Sequence, residues 1–172
     1  MLPNLRLIRV SKAEIDLLEH WKEGVSLVSA AGKSIDDLCL DVAVHRWKLG
    51  LLHKRDGNKL MQLQAPPYRS AISRYYYSMY HCFRAAAFIS HRGDNHESHS
   101  NLPKHLPVDF PSVAFWQNEL KMARLTRNDA DYDPYPRTNA PWQNKAKAIQ
   151  LNAINAVLET RNYLRSKGCT GI

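Results

Sequence analysis

The segment Arg124-Leu125-Thr126-Arg127-Asn128-Asp129-Ala130-Asp131-Tyr132-Asp133 concentrates two arginines, an amide, three carboxylates and a tyrosine. A guanidinium holds a phosphate through two parallel N–H bonds. On a chemical reading, Arg127 grips a phosphate while Asn128 and Tyr132 act beside it. On a structural reading, Asp129 or Asp131 pairs with Arg127 and fixes the turn ahead of Pro134-Tyr135-Pro136. A dense polar cluster is costly unless its members satisfy one another.

A second constellation lies upstream, in Ser73-Arg74-Tyr75-Tyr76-Tyr77 and the residues that follow. Plotted at about 100° per residue with Arg74 at the origin, Tyr77 falls near about −60°, His81 near about −20° and Arg84 near about −80°. These four side chains form one narrow stripe. Ile72, Met79, Phe83 and Ala86 gather near about 150° and are expected to face a core. Tyrosine beside arginine suits nucleic acid, because rings stack on bases while cations hold phosphate. The same tyrosines could instead close a core while the cations face water.

His96 and His99 stand three residues apart, but no cysteine or carboxylate set completes a metal site, and none is expected. Cys39, Cys82 and Cys169 are odd in number and form no CxxC pair, which fits structural thiols in a reducing compartment. The first ten residues carry Arg6 and Arg9 without a continuous apolar run, so no signal peptide is expected there. No stretch approaches the roughly 18 apolar residues of a membrane span. A cytoplasmic protein with no membrane partner is therefore expected.

The elements that must position these residues read as helices. No segment alternates with period two, and Val, Ile and Thr are sparse. Ser11 with Glu14 reads as a capping box opening a helix that carries Ile15, Leu18, Val25 and Val28 and stops at Gly32. Ser34, with Asp36 and Asp37 in the first turn, opens a second helix. Leu38, Val42, Trp47 and Leu51 are its apolar residues, and Asp56-Gly57-Asn58 bends or ends it. A long helix runs from about Tyr68 to His91. A polar, proline-bearing connection occupies residues 94–111. A shorter helix covers roughly residues 112–128, and a last one roughly 141–165. Ala146, Ile149, Ala153, Val157 and Leu164 share one side of that last helix.

The chain has 172 residues, ordinary for one domain, and 44% of them are hydrophobic, enough for a sizeable core. The 24 lysines and arginines against 16 acids leave a formal charge of +8, which favours nucleic acid or another acidic partner. The expected fold is an all-α, antiparallel up-and-down bundle of about five helices. Residues 1–33 form an N-terminal helical extension, and residues 34–172 form the bundle.

Taken in order, the two constellations resemble a known superfamily. Ala71-Ile72-Ser73-Arg74-Tyr75-Tyr76-Tyr77-Ser78-Met79-Tyr80-His81 resembles the signature helix of HEPN domains (higher eukaryotes and prokaryotes nucleotide-binding). Arg127-Asn128-Asp129-Ala130-Asp131-Tyr132-Asp133 resembles the second signature of that superfamily. In particular it is similar to a small prokaryotic branch with a His-Ser pair between the signatures, where His99-Ser100 sits here. The resemblance spans roughly residues 36–167. It implies a helical bundle that commonly dimerises, with the two signatures close together. It implies nucleic-acid or nucleotide contacts through Arg74, Tyr77, His81, Arg84, His99 and Arg124.

Many members of the superfamily are ribonucleases whose motif is an Arg, usually a polar residue, and then a His. Arg127 and Asn128 match the first two places. Tyr132 and Asp133 stand where the His belongs, and no His follows them. A phenol with a reference pKa of about 10 is a poor general base at neutral pH. The resemblance therefore implies a module without the usual catalytic His. It would bind RNA, a nucleotide or a nucleotidyltransferase-type partner in a defence or toxin–antitoxin-like system, with no cofactor. Two alternatives stay open. One is a metal-independent endoribonuclease with a variant Arg127/Asn128/Tyr132 site, in which His81 or His99 replaces the missing base. The other is an assembly subunit with no ligand of its own.

Overall fold

A computed structural model describes residues 10–172, and the reading of the extreme N-terminus as lacking a signal peptide falls mostly outside them. Among the described residues there are five α-helices and no strand. They are α1 (Ile15–Ala31), α2 (Ile35–Met61), α3 (Tyr68–His91), α4 (Val113–Tyr132) and α5 (Ala140–Ser166), with a 3₁₀ turn at Leu102–His105. The all-α bundle read from the sequence is the fold. The chain divides into two compact units, Met1–Leu38 and Cys39–Ile172. No described helix is long and apolar enough to cross a membrane.

The first unit holds α1, which starts at Ile15 rather than at Ser11. Glu14 is its N-cap, with extended backbone at ψ 159°, so it cannot serve as the third residue of a box opened at Ser11. Gly32 ends the helix in the left-handed region at φ 62°, with its N–H bonded to the Val28 carbonyl. None of the residues of α1 is buried, and Ile15, Leu18 and Val25 are exposed.

The capping box is realised one helix later. Ser34 Oγ accepts the Asp37 N–H at 3.1 Å, and the Asp37 carboxylate accepts the Ser34 N–H at 3.2 Å. Two orphan donors are thus satisfied at the start of α2.

Contacts among the last four helices define an antiparallel bundle. On α2 and α3, Gly50 lies against Cys82, whereas Gly57 lies against Tyr75. On α3 and α4, Tyr77 meets Arg127 and Ser73 meets Asp131. On α4 and α5, Trp116 bonds Glu159 and Lys145 pairs with Asp129. On α5 and α2, the Trp47 indole bonds the Val157 carbonyl and Gln150 bonds Asn58. In every pair the order reverses, as up-and-down connection requires.

The α3 helix is central. Half of its 24 residues are buried, including Ile72, Met79, Phe83 and Ala86 as their common face predicts. On α5, Ala146, Ile149, Ala153, Val157 and Leu164 are buried together.

Two local expectations are corrected. Asp56-Gly57-Asn58 does not end α2, which runs on to Met61. A Cβ on Gly57 would stand 2.7 Å from the Tyr75 ring, and one on Gly50 would stand 2.7 Å from Cys82 Sγ. Both glycines let α2 approach α3, and Asn58 accepts the Tyr75 hydroxyl at 2.8 Å. Tertiary packing overrides a local turn signal there. The α4 helix also extends four residues beyond the expected end at Asn128. Arg69 closes it, donating to the carbonyls of Ala130, Asp133 and Pro136 while lying 4.2 Å over the Trp142 ring. The Ala130 carbonyl is one of the acceptors the helix end leaves over.

The connection after α3 is anchored rather than simply polar. Leu102, Leu106 and Phe110 enter the core, and Glu97 and Asp109 accept the hydroxyls of Tyr80 and Tyr163.

Candidate functional site

The extension of α4 turns Arg127 and Asp131 into an i,i+4 pair on a helix rather than partners across a turn. Asp131 stands 2.7 Å from Arg127 Nε and also accepts the Ser73 hydroxyl at 2.5 Å. Arg127 Nη1 donates to Asn128 Oδ1 at 3.1 Å, and Nη2 donates to the Tyr77 hydroxyl at 2.7 Å. Its guanidinium carbon lies 5.3 Å from the Tyr77 ring centre, 6.0 Å from Tyr76 and 5.8 Å from Tyr132. Asp129 turns away to Lys145. Of the two carboxylates offered by the sequence, Asp131 is the one that neutralises Arg127.

Tyr77 leads from Arg127 into a cluster of histidines. His99 lies 5.9 Å from the Tyr77 ring and 4.3 Å from the Tyr80 ring, with Nδ1 2.6 Å from the Tyr76 hydroxyl. His53 stacks on His81 at 5.3 Å with planes 5° apart, and lies 5.6 Å from Tyr77. Arg74, exposed to solvent, reaches within 3.5 Å of His53 Nδ1. The structure thus gathers Arg127, Asn128, Tyr77, His81, His99 and Arg74 around one polar seam between α3 and its neighbours. Tyr132 is 73% exposed at its edge.

Burial sets the charge state of the seam. Desolvation lowers His81 to about 4, helped by the neighbouring His53 and Arg84. Desolvation also lowers His53, with Arg74 adding to it, and lowers His99, with Arg127 and Arg124 adding to it. All three imidazoles are therefore neutral near pH 7 and can accept a proton. The Tyr76 phenol moves the other way, raised well above its usual value by burial.

Two predicted residues make their own contacts beside the Arg127 group. Arg84 is occupied by Asp94 and Glu97, and Arg46 shares Asp94 with it. That pairing holds the Asp94 carboxyl far below the usual range. Arg124, one turn before Arg127, lines a surface pocket, and its charge also reaches His99 and Tyr76. The two histidines weighed for a metal diverge: His96 stacks on His105 at 3.9 Å, whereas His99 joins the tyrosines. Among the described residues no group of three His, Cys, Asp or Glu side chains could hold a metal.

His53 belongs to the site and escapes the motif reading, as does Arg69 at the nearby end of α4. His53 lies on α2 with no local periodicity linking it to the α3 stripe. Arg69 acts on backbone carbonyls, which carry no side-chain signal.

In comparisons with known proteins, no family model, no curated protein and no solved structure matches this chain.

Proposed function

We propose that the chain is a HEPN-like module that binds RNA through phosphate contacts centred on Arg127. The observation that carries this reading is the guanidinium itself. It has five N–H donors. Asn128 and Tyr77 take one each from Nη1 and Nη2, and Asp131 stands at Nε. These bonds account for one N–H on each Nη, and a guanidinium can offer further N–H groups to a phosphate. Exposed Arg74 adds charge along the seam, exposed Tyr132 offers a ring face at its edge, and the chain carries +8 overall. The wider setting is the one the resemblance implies: a homodimer in a defence or toxin–antitoxin-like system, with a nucleotidyltransferase-type partner.

A second reading, a metal-independent endoribonuclease, draws support from the neutral histidines. His99 stands near Arg127 with its imidazole held toward the neutral form, although the Arg127 motif itself holds Tyr132 where the His belongs. The binding reading is tested by fluorescence anisotropy of labelled single-stranded RNA across a salt series. Each neutralised phosphate contributes a slope of about −0.7 to log affinity against log salt. A slope of about −1.4 or steeper is expected. Absence of binding, or binding indifferent to salt, overturns the proposal.

A further inference from the structure

The α1 helix lies outside residues 36–167, which carry the resemblance, and none of its residues is buried. A helix of this length holds in water mainly by packing an apolar face, and Gly24 and the β-branched Val25 and Val28 weaken it further. Its apolar residues are not scattered. Leu18, Trp21, Val25 and Val28 recur at steps of three, four and three, so they fall within about 80° of one another. Val25 is 71% exposed and Trp21 42%, with Ile15 and Leu17 exposed at the edges. Within the first compact unit, His20, Trp21, Gly24, Val25, Val28 and Ile35 line a groove of about 430 Å³ along this face.

Charge restricts what can cover the face. Asp16, Glu19 and Glu23 fall on the opposite side of the helix. A helix that lies on an anionic bilayer needs a basic polar side, and carboxylates repel a phosphate backbone. The one charged neighbour of the apolar stripe is Lys22 at its edge, whose stem can lie along apolar surface. The occupant must therefore bring an apolar, nearly uncharged helix face of its own.

The stripe is its own match, because its spacing reads the same in both directions. Turned antiparallel about a two-fold axis level with Glu23, Leu18 meets Val28 of the second copy and Trp21 meets Val25 of the second copy, twice over. Gly24 then lies beside the axis, where a Cβ would meet nothing within 4 Å in the single chain, so the two main chains can approach. The antiparallel order sets the acidic first half of each helix against the uncharged second half of the other and opposes their dipoles. The face offers several hundred Å² per copy, matching the weaker specific interfaces at about 600 Å² a side or less.

We propose that α1 is a dimerisation helix that pairs antiparallel with α1 of a second copy through Leu18, Trp21, Val25 and Val28. The resemblance gives its homodimer no part in α1, and this assignment draws on α1 alone, whether or not the chain binds RNA.

The test is sedimentation equilibrium of the full chain from about 5 to 500 µM, with circular dichroism as the fold control. A dimer that persists or tightens as salt is raised is expected, because apolar burial is not screened whereas the Lys22 pair across the axis is. Val25→Glu places a carboxylate in the stripe and should weaken the dimer at least about tenfold, while Glu23→Gln on the opposite side should not. A short bismaleimide should join two copies of Gly24→Cys beyond the background of the three native thiols, and should not do so for Ala30→Cys on the outer side. That measurement keeps the test valid if Val25→Glu unwinds α1. A chain that stays monomeric throughout, a dimer indifferent to Val25→Glu, or equal cross-linking at positions 24 and 30 overturns the proposal. RNA binding by a chain that never dimerises refutes this proposal and leaves the RNA reading intact, and a dimer that binds no RNA does the reverse.

Discussion

The Tyr77 hydroxyl accepts a 2.7 Å hydrogen bond from Arg127 Nη2, joining α3 to α4 across fifty residues of sequence. Around that bond the guanidinium is fixed by one carboxylate, one amide and three tyrosine rings. Its side chain is only 18% exposed.

Asp131 sets how much positive charge the seam shows. Asp131→Asn removes the charge that neutralises Arg127 and leaves an oxygen able to accept the Ser73 hydroxyl. RNA affinity should rise several-fold at low salt, and stability should fall by about 0.5–1 kcal/mol, as for a partly exposed helix pair. Anisotropy and thermal melting check both signs. Weaker RNA binding with an intact fold would mean that Asp131 orients Arg127 more than it neutralises it.

The histidine cluster makes stability depend on pH. His81 has a folded value of about 4 against an unfolded reference of 6.5, and His53 and His99 shift the same way. Between these limits the unfolded chain binds more protons, so stability is full above about pH 6.5 and is lost as pH falls towards 4. After allowance for solvent screening, His81 alone accounts for a loss on the order of 1–2 kcal/mol. Asp94, Asp109 and Asp37 have lowered carboxyl values and act at more acidic pH, below the ordinary carboxylate value of 3.8. Denaturant titrations at several pH values should show the loss, and His81→Gln should reduce it.

Three glycines separate packing from propensity. Gly57→Ala drives a methyl to 2.7 Å from the Tyr75 ring, and Gly50→Ala drives one to 2.9 Å from the Ser78 carbonyl. Each should cost about 1–3 kcal/mol through forced displacement. Gly24→Ala on α1 meets nothing within 4 Å and should gain about 0.5–1 kcal/mol for that helix. Hydrogen exchange reads the α1 effect, and thermal melting reads the other two.

Much of this arrangement is legible in the residues themselves. The apolar face of α3 follows from its spacing, because Ile72, Met79 and Phe83 have nowhere to go but the core. The nearness of Arg127 to Tyr77 is what the resemblance of the two segments to paired signatures implies, because nothing in their own spacing brings them together. The α2 path through Gly57 does not, because what decides it is the Tyr75 ring on another helix. The end of α4 is misplaced for a related reason. Asp129 and Asp131 suggest a turn, but one carboxylate is spent on Lys145 and the other on Arg127, while Arg69 holds the helix end. His53 joins the seam only through tertiary packing, and α1 shows an apolar side that none of its own residues buries.

Cleavage is the outcome expected to be weak or absent when the purified chain meets mixed RNA in chelator. A ribonuclease must deprotonate a 2′-hydroxyl and protonate the leaving oxygen, and Tyr132 is poorly suited to either at neutral pH. Robust cleavage that disappears in both Arg127→Ala and His99→Ala would establish the ribonuclease reading instead.

The central claim is that Arg127 holds RNA by its phosphates. It is tested most directly by the affinity of Arg127→Ala for single-stranded RNA, measured beside the parent across the same salt series, with circular dichroism confirming the helical fold. The account predicts that the variant binds at least about tenfold more weakly at low salt. It also predicts a slope of log affinity against log salt that is shallower by about 0.7. Unchanged affinity and slope in a folded Arg127→Ala variant would contradict it.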